Sequence, residues 1–94
     1  MERETIIERL AGALKDGATL SGLELEARTG SKPEELLPIL KALRDRKLIF
    51  VARFLPHPGN QEEWKRFYCR AAPLFIKKMR SDSFSLSELL REER

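Results

Sequence analysis

The sequence contains few of the side chains that build redox, metal or disulfide chemistry. It has one cysteine, Cys69, and one histidine, His57. A single cysteine excludes an intramolecular disulfide, and it cannot complete a structural zinc or iron–sulfur site without ligands from elsewhere. We therefore expect a protein of a reducing compartment that carries no metal and no cofactor.

Long apolar runs are also lacking. The longest, residues 48–52 and 71–76, are far shorter than the roughly 20 residues that a membrane-spanning helix needs. The chain starts with Met-Glu-Arg-Glu, which has no apolar core of the kind found in a signal peptide. These features predict a cytoplasmic protein without a membrane partner.

Motifs of common enzyme classes are missing as well. The sequence has no P-loop, no dinucleotide-binding fingerprint and no carboxylate pair with an evident cleft. His57 lies between Pro56 and Pro58, a setting typical of a turn. Cys69 is central in an aromatic segment and is expected to be a small buried residue. We predict that the protein is not an enzyme.

The charge of the chain is unevenly distributed. The 94 residues are 41% hydrophobic and 35% charged, which is typical of one soluble globular domain. The net charge of +3 resolves into zero over residues 1–47, +5 over residues 48–80 and −2 over residues 81–94. Since the position of charges decides which polyanions a protein attracts, the segment 48–80 is the candidate binding region.

Three helices are predicted before this basic segment. The first runs from about Thr5 to Lys15, with apolar residues at helical spacing and Gly17 as its stop. The second lies between Ser21, which forms a capping box with Glu24, and Gly30. The third runs from about residue 32 to residue 47, with a second capping box predicted for Ser31 and Glu34 and with Pro33 in its first turn.

A β-hairpin is predicted after the third helix. Residues 48–54 and 64–70 are rich in β-branched and aromatic side chains, and a loop of about seven to nine residues connects them. Alternation in these strands favours core positions, over the helices, for Phe50, Phe54, Trp64 and Tyr68. The alternative is that Trp64, Phe67 and Tyr68, which interleave with basic residues, stack the bases of a single strand.

The last part of the chain is predicted to be a helical extension. One short helix begins after Pro73, and another opens at Ser85 with Glu88 and continues through Leu90. We accordingly divide the chain into a first domain, residues 1–72, and an extension, residues 73–94, which is available for dimerisation or docking.

The order of these elements resembles a winged helix-turn-helix domain. The stretch Leu20-Ser21-Gly22-Leu23-Glu24-Leu25-Glu26-Ala27-Arg28-Thr29-Gly30-Ser31 is similar to the turn region of that family, and Leu36, Leu40, Leu43 and Leu48-Ile49 match the apolar register of its third helix and wing. The resemblance covers roughly residues 5–70 and is greatest to regulators of the multiple-antibiotic-resistance type. It implies an α+β fold, mainly α, with three helices, a two-stranded β-hairpin wing and one or two short C-terminal helices.

The resemblance also implies binding to double-stranded DNA, with the third helix in the major groove and the wing beside the phosphates. The resemblance therefore predicts a small transcriptional regulator that pairs half-sites as a homodimer. Basic and amide side chains of the third helix and the wing are the expected contacts: Lys32, Lys41, Arg53, Asn60, Lys65 and Arg66.

The third helix itself is a poor match to DNA. Its early exposed positions hold Glu34, Glu35 and Pro38, and carboxylates repel phosphates and rarely read bases. An alternative function follows from the same residues. In it, the winged helix is a protein interaction or assembly module that does not bind DNA, and Leu37, Pro38 and the acidic start of the third helix face a protein partner.

Overall fold

The fold is mixed α and β, mainly helical, with one small antiparallel sheet. A computed structural model of the chain describes residues 3–51, 55–57, 59–81 and Ser85. Its elements in chain order are α1 (Arg3–Leu14), β1 (Leu20–Ser21), α2 (Gly22–Thr29), α3 (Pro33–Asp45), β2 (Ile49–Val51), α4 (Gln61–Arg66), β3 (Tyr68–Ala71) and α5 (Pro73–Met79).

The first three helices form because apolar side chains recur at helical spacing and meet in one core. Ile7, Leu10 and Leu14 of α1 are buried, as are Leu36 and Leu40 of α3. These helices are confirmed, as are the predicted core faces of α1 and α3; on α2 only Leu25 of the three predicted apolar residues is buried. The predicted turn-region leucines Leu20 and Leu25 are buried in the same cluster.

The ends of α2 agree with the capping residues in the sequence. The Ser21 hydroxyl accepts a hydrogen bond from the backbone N–H of Glu24, and the Glu24 carboxylate accepts one from the N–H of Ser21, both at 3.2 Å. Gly30 ends the helix in the left-handed region, with φ of 69°, where glycine has no steric penalty.

The predicted capping box at the start of α3 is wrong by one residue. Lys32, rather than Ser31, is the capping position, and its backbone N–H donates to the Glu35 carboxylate at 3.2 Å. Ser31 is instead buried, and its N–H donates to the Thr29 hydroxyl at 3.3 Å. The helix therefore begins one residue later than the sequence predicts, at Pro33.

The sheet has three strands where the sequence predicts two. Their order is β1-β3-β2, with Leu20 opposite Cys69, and Ile49 opposite Ala71, in antiparallel register. Strand β1 was missed because two residues show no periodicity. It exists because the central strand β3 offers it a partner.

The predicted second strand, residues 64–70, is wrong in its first half. Residues 61–66 form the helix α4, and the strand covers only residues 68–71. Trp64 and Phe67 are both buried and stack at 5.6 Å between ring centroids. Their spacing of three places both rings on one side of a helical turn, which explains the change. The described residues 55–57 and 59–67 therefore lie outside the strands, so the connection between β2 and β3 is longer than predicted.

The predicted aromatic core is confirmed for Trp64 and wrong for two other rings. Phe50 and Tyr68 are 45% and 47% exposed, because they lie on the outer face of the sheet, opposite the helices.

Three other predictions concern residues outside those that the structure describes. These are the core position of Phe54, the strand at residues 52–54 and the helix after Ser85. The helix that begins at Pro73 is confirmed as α5.

Candidate nucleic-acid interface

A cleft of about 400 Å³ lies between α2, the start of α3 and α4. Elements that are far apart in the sequence converge here, because the chain passes from α4 directly into β3 beside the end of β1. The Gly22 N–H donates to the Phe67 carbonyl at 3.0 Å, which ties the start of α2 to this connection. The cleft is lined by Leu23, Glu26, Lys32, Pro33, Glu34, Gly59, Gln61, Trp64 and Lys65.

Two of the predicted phosphate-contacting residues, Lys32 and Lys65, line this one cleft. Lys32 caps α3 with an extended backbone, at φ −84° and ψ 161°, and its side chain is exposed. Lys65 is in the last turn of α4, where a cation is favoured by the helix dipole. The tertiary structure thus joins cations that are 33 positions apart in the sequence.

The ammonium of Lys65 forms a weak ion pair with the carboxylate of Glu62. Its Nζ lies 3.7 Å from the Glu62 Oε1, and both side chains are more than half exposed. Exposed pairs of this kind contribute little free energy, because water and salt screen them. Lys65 is therefore available to an anionic partner at low energetic cost.

The other two predicted contacts on α4 differ in their availability. Arg66 is exposed in the last turn. The Asn60 Oδ1 accepts a hydrogen bond from the Glu63 N–H at 3.0 Å and so caps α4. This bond uses the amide oxygen and leaves the amide NH₂ as the group that Asn60 can offer to a partner.

The exposed stripe of α3 has the mixed chemistry that the sequence indicates. Glu34, Pro38, Lys41 and Asp45 are exposed at helical spacing, and only Lys41 among them is a cation. Asp45 also pairs with Arg44 at 3.1 Å. Lys41 does not line the cleft.

Two further sequence predictions have different outcomes here. The expectation that Leu37 faces a partner is wrong: it is 6% exposed and belongs to the core, because α3 buries a wide apolar face. The predicted contact Arg53 lies outside the described residues.

The cleft is balanced in charge, with Lys32 and Lys65 against Glu26 and Glu34. Its floor is the buried Trp64, whose indole N–H has no acceptor among the described residues. A Cβ on Gly22 would overlap the Trp64 backbone oxygen and lie 2.7 Å from two of its ring atoms. Sequence reasoning missed Leu23 and Gln61 as cleft residues, and it missed the packing of Gly22 against Trp64. The helical spacing of Trp64 and Phe67 is the signal that points to this packing.

The remaining reactive side chains do not form a site with the cleft. His57 is exposed, and its carbonyl accepts a hydrogen bond from the Asn60 N–H at 3.0 Å, in a turn as expected. Cys69 is buried as predicted, and burial raises the pKa of its thiol from 9.0 to about 12. Among the described residues, no three His, Cys, Asp or Glu side chains are grouped so that they could hold a metal ion.

No protein family, curated protein or solved structure matches the chain. Within the part of the chain that the structure describes, no helix has the length and apolar character that crossing a membrane requires.

Proposed function

We propose that the chain is a winged-helix protein that binds double-stranded DNA, as a small transcriptional regulator. The observation that carries the proposal is the convergence of Lys32 and Lys65 on one open cleft at the start of α3. The order α1, β1, α2, α3, β2, α4, β3 with the sheet order β1-β3-β2 supports it, because a winged helix has the same succession of three helices followed by two paired strands; in this chain the short helix α4 is inserted between those strands.

In this proposal the cleft cations position the DNA backbone. Phosphate oxygens bind Lys32 and Lys65, and Arg66 adds a third contact from the same short helix. Such contacts give affinity without sequence information. Lys41 is the one exposed cation on the outward stripe of α3, and the amide of Asn60 completes the set of donors.

Titration of labelled duplex DNA with the wild type and with the double variant K32A/K65A tests this function. We expect the wild-type affinity to fall steeply between about 50 and 200 mM salt, because each neutralised phosphate releases counterions. The double variant should bind several-fold more weakly to all sequences, and the salt slope should decrease by about one for each lost contact.

Two further variants sharpen this measurement. K15A removes an exposed lysine that does not line the cleft, and it should bind as the wild type does. R66E should weaken binding to all duplexes alike. Absence of wild-type binding at low salt, or an equal loss in K15A and K32A/K65A, would contradict the proposal.

A protein interaction module is the second candidate function. The observation in its favour is that Leu23, on the rim of the cleft, is 50% exposed beside Glu26 and Glu34. An apolar rim with carboxylates suits a basic, partly apolar protein segment better than it suits phosphate. Under this alternative, the protein does not bind duplex DNA at low salt, and L23A weakens its affinity for a basic, partly apolar peptide.

Pairing of two copies is part of the DNA-binding proposal, because one module covers little DNA. Helix α5 carries Leu74, which is 61% exposed, and lies in the extension predicted as the dimer element. Sedimentation of the wild type and of L74A, with and without duplex DNA, measures whether the extension pairs.

A further inference from the structure

The outer face of the sheet carries a small set of aromatic and cationic side chains. Tyr68 and Arg70 lie on the central strand β3, Phe50 is opposite Arg70 on β2, and Ser21 is opposite Tyr68 on β1. We call these four residues the outer sheet face. The alternate residues of the same strands point inward and are buried: Leu20, Ile49, Cys69 and Ala71.

Both rings of the outer sheet face are about half exposed, Phe50 at 45% and Tyr68 at 47%. Tyr68 is two residues from Arg70 on β3, so it lies diagonally across from Phe50 on β2. Residues in this diagonal position are about 7–8 Å apart, which makes the two rings neighbours. The guanidinium carbon of Arg70 lies 4.9 Å from the centre of the Phe50 ring. This contact orients the Arg70 cation next to exposed aromatic surface.

The charge of this face differs from that of the cleft. Among its four described residues, Arg70 is charged and none is acidic. The carboxylate that is nearest along the chain to Ser21 belongs to Glu24, and it accepts a hydrogen bond from the Ser21 N–H. Among its described residues, the outer sheet face therefore combines two aromatic rings with one positive charge, that of Arg70.

We propose that the outer sheet face binds single-stranded nucleic acid by stacking unpaired bases on Tyr68 and Phe50. Bases have π faces that stack on aromatic rings whatever their sequence, and an arginine beside the rings pairs with the phosphate or stacks on a further base. Duplex DNA cannot use this face in that way because its bases are stacked on each other. The site is therefore additional to the duplex-binding cleft.

Charge argues for this occupant over a second copy of the chain. A two-fold pairing through this face is self-complementary, so it brings two Arg70 side chains and no acid of the face towards each other. A polyanion, in contrast, complements Arg70. A dimer and a protein partner become outcomes that the experiment distinguishes.

The test is fluorescence anisotropy with labelled oligo(dT) about twelve nucleotides long, a length within the usual range for one small domain. The matched control ligand is an oligomer of equal length and charge in which the bases are absent. We expect the wild type to bind oligo(dT) more tightly than the abasic oligomer. Y68A should weaken binding to oligo(dT) by about fivefold or more, and Y68F should restore it.

Three further measurements separate this proposal from non-specific effects, from duplex binding and from a loss of folding. K15A removes an exposed side chain that belongs to neither the outer sheet face nor the cleft, and it should bind oligo(dT) as the wild type does. K32A/K65A should bind duplex DNA several-fold more weakly but keep the preference for oligo(dT) over the abasic oligomer. Unchanged circular dichroism shows that Y68A is folded.

Several results overturn the proposal. These are equal affinity for oligo(dT) and the abasic oligomer, equal loss in K15A and Y68A, and no oligo(dT) binding at low salt. A wild-type dimer that Y68A converts to a monomer would assign the face to a second copy instead.

Discussion

Gly22 shows how one residue sets the shape of the candidate site. It is the first residue of α2, directly after the capping residue Ser21, and a Cβ there would meet the backbone and ring of Trp64. The indole therefore packs against bare backbone, and this close approach gives the cleft its floor. The sequence places Gly22 in the turn region but does not indicate the ring that covers it.

We expect G22A to lower the free energy of unfolding by about 1–3 kcal/mol, because overpacking forces backbone and ring apart. G12A is the matched control: Gly12 is in α1, and a Cβ there meets nothing within 4 Å. Alanine at Gly12 should raise stability by roughly 0.5–1 kcal/mol through helix propensity. Urea unfolding measures both, and equal effects of the two variants would contradict the packing argument.

At the scale of elements, α4 is the largest departure from the sequence prediction. Its residues have aromatic character that favours a strand, yet its ends carry helical signals. Asn60 caps it, Glu62 and Glu63 lie in its first turn, and Lys65 and Arg66 lie in its last turn. Each signal is small, and burial of Trp64 against α2 decides between the two structures.

Asn60 allows capping and binding to be measured separately. We expect N60A to destabilise the protein by about 1 kcal/mol, because the Glu63 N–H loses its acceptor. N60D keeps an acceptor at the cap and should retain most of the stability, but its negative charge should weaken duplex DNA binding. Thermal unfolding and duplex titration check the two effects, and equal stability of N60A and the wild type would rule out the cap as a stabilising contact.

For the whole molecule, Cys69 couples folding to alkaline pH. Its thiol is buried in the central strand, and burial raises its pKa from 9.0 to about 12. The folded protein thus keeps the proton in a range where the unfolded chain has lost it. The contribution to stability is complete below pH 9 and is lost as the pH rises through about 12.

We therefore expect the free energy of unfolding of the wild type to fall relative to that of C69A between pH 9 and about 12. Below pH 9 the difference between the two proteins should be constant, since the cavity in C69A does not titrate. Urea unfolding at a series of pH values measures this difference. A constant difference over the whole range would show that the thiol ionises equally in both states.

The charge distribution of the whole chain also becomes clearer in three dimensions. The sequence gives residues 48–80 a net charge of +5 and makes this segment the basic wing. In the structure, Lys65 turns toward the start of α3 while Arg70 lies on the outer sheet face. One basic segment therefore supplies two surfaces with different chemistry.

The sequence by itself determined the helices α1, α2 and α3, the caps of α2, the buried Cys69 and the helix after Pro73. These depend on local spacing, capping side chains and apolar periodicity, which act within a few residues. Only the tertiary structure decided the strand β1, the helix α4, the cleft and the exposure of Phe50 and Tyr68. In each case, parts of the chain that are distant in sequence meet. Strand β1 pairs with β3, Trp64 packs against Gly22, and Lys32 and Lys65 line the same cleft. Such contacts form only when the chain has folded, so no local pattern specifies them.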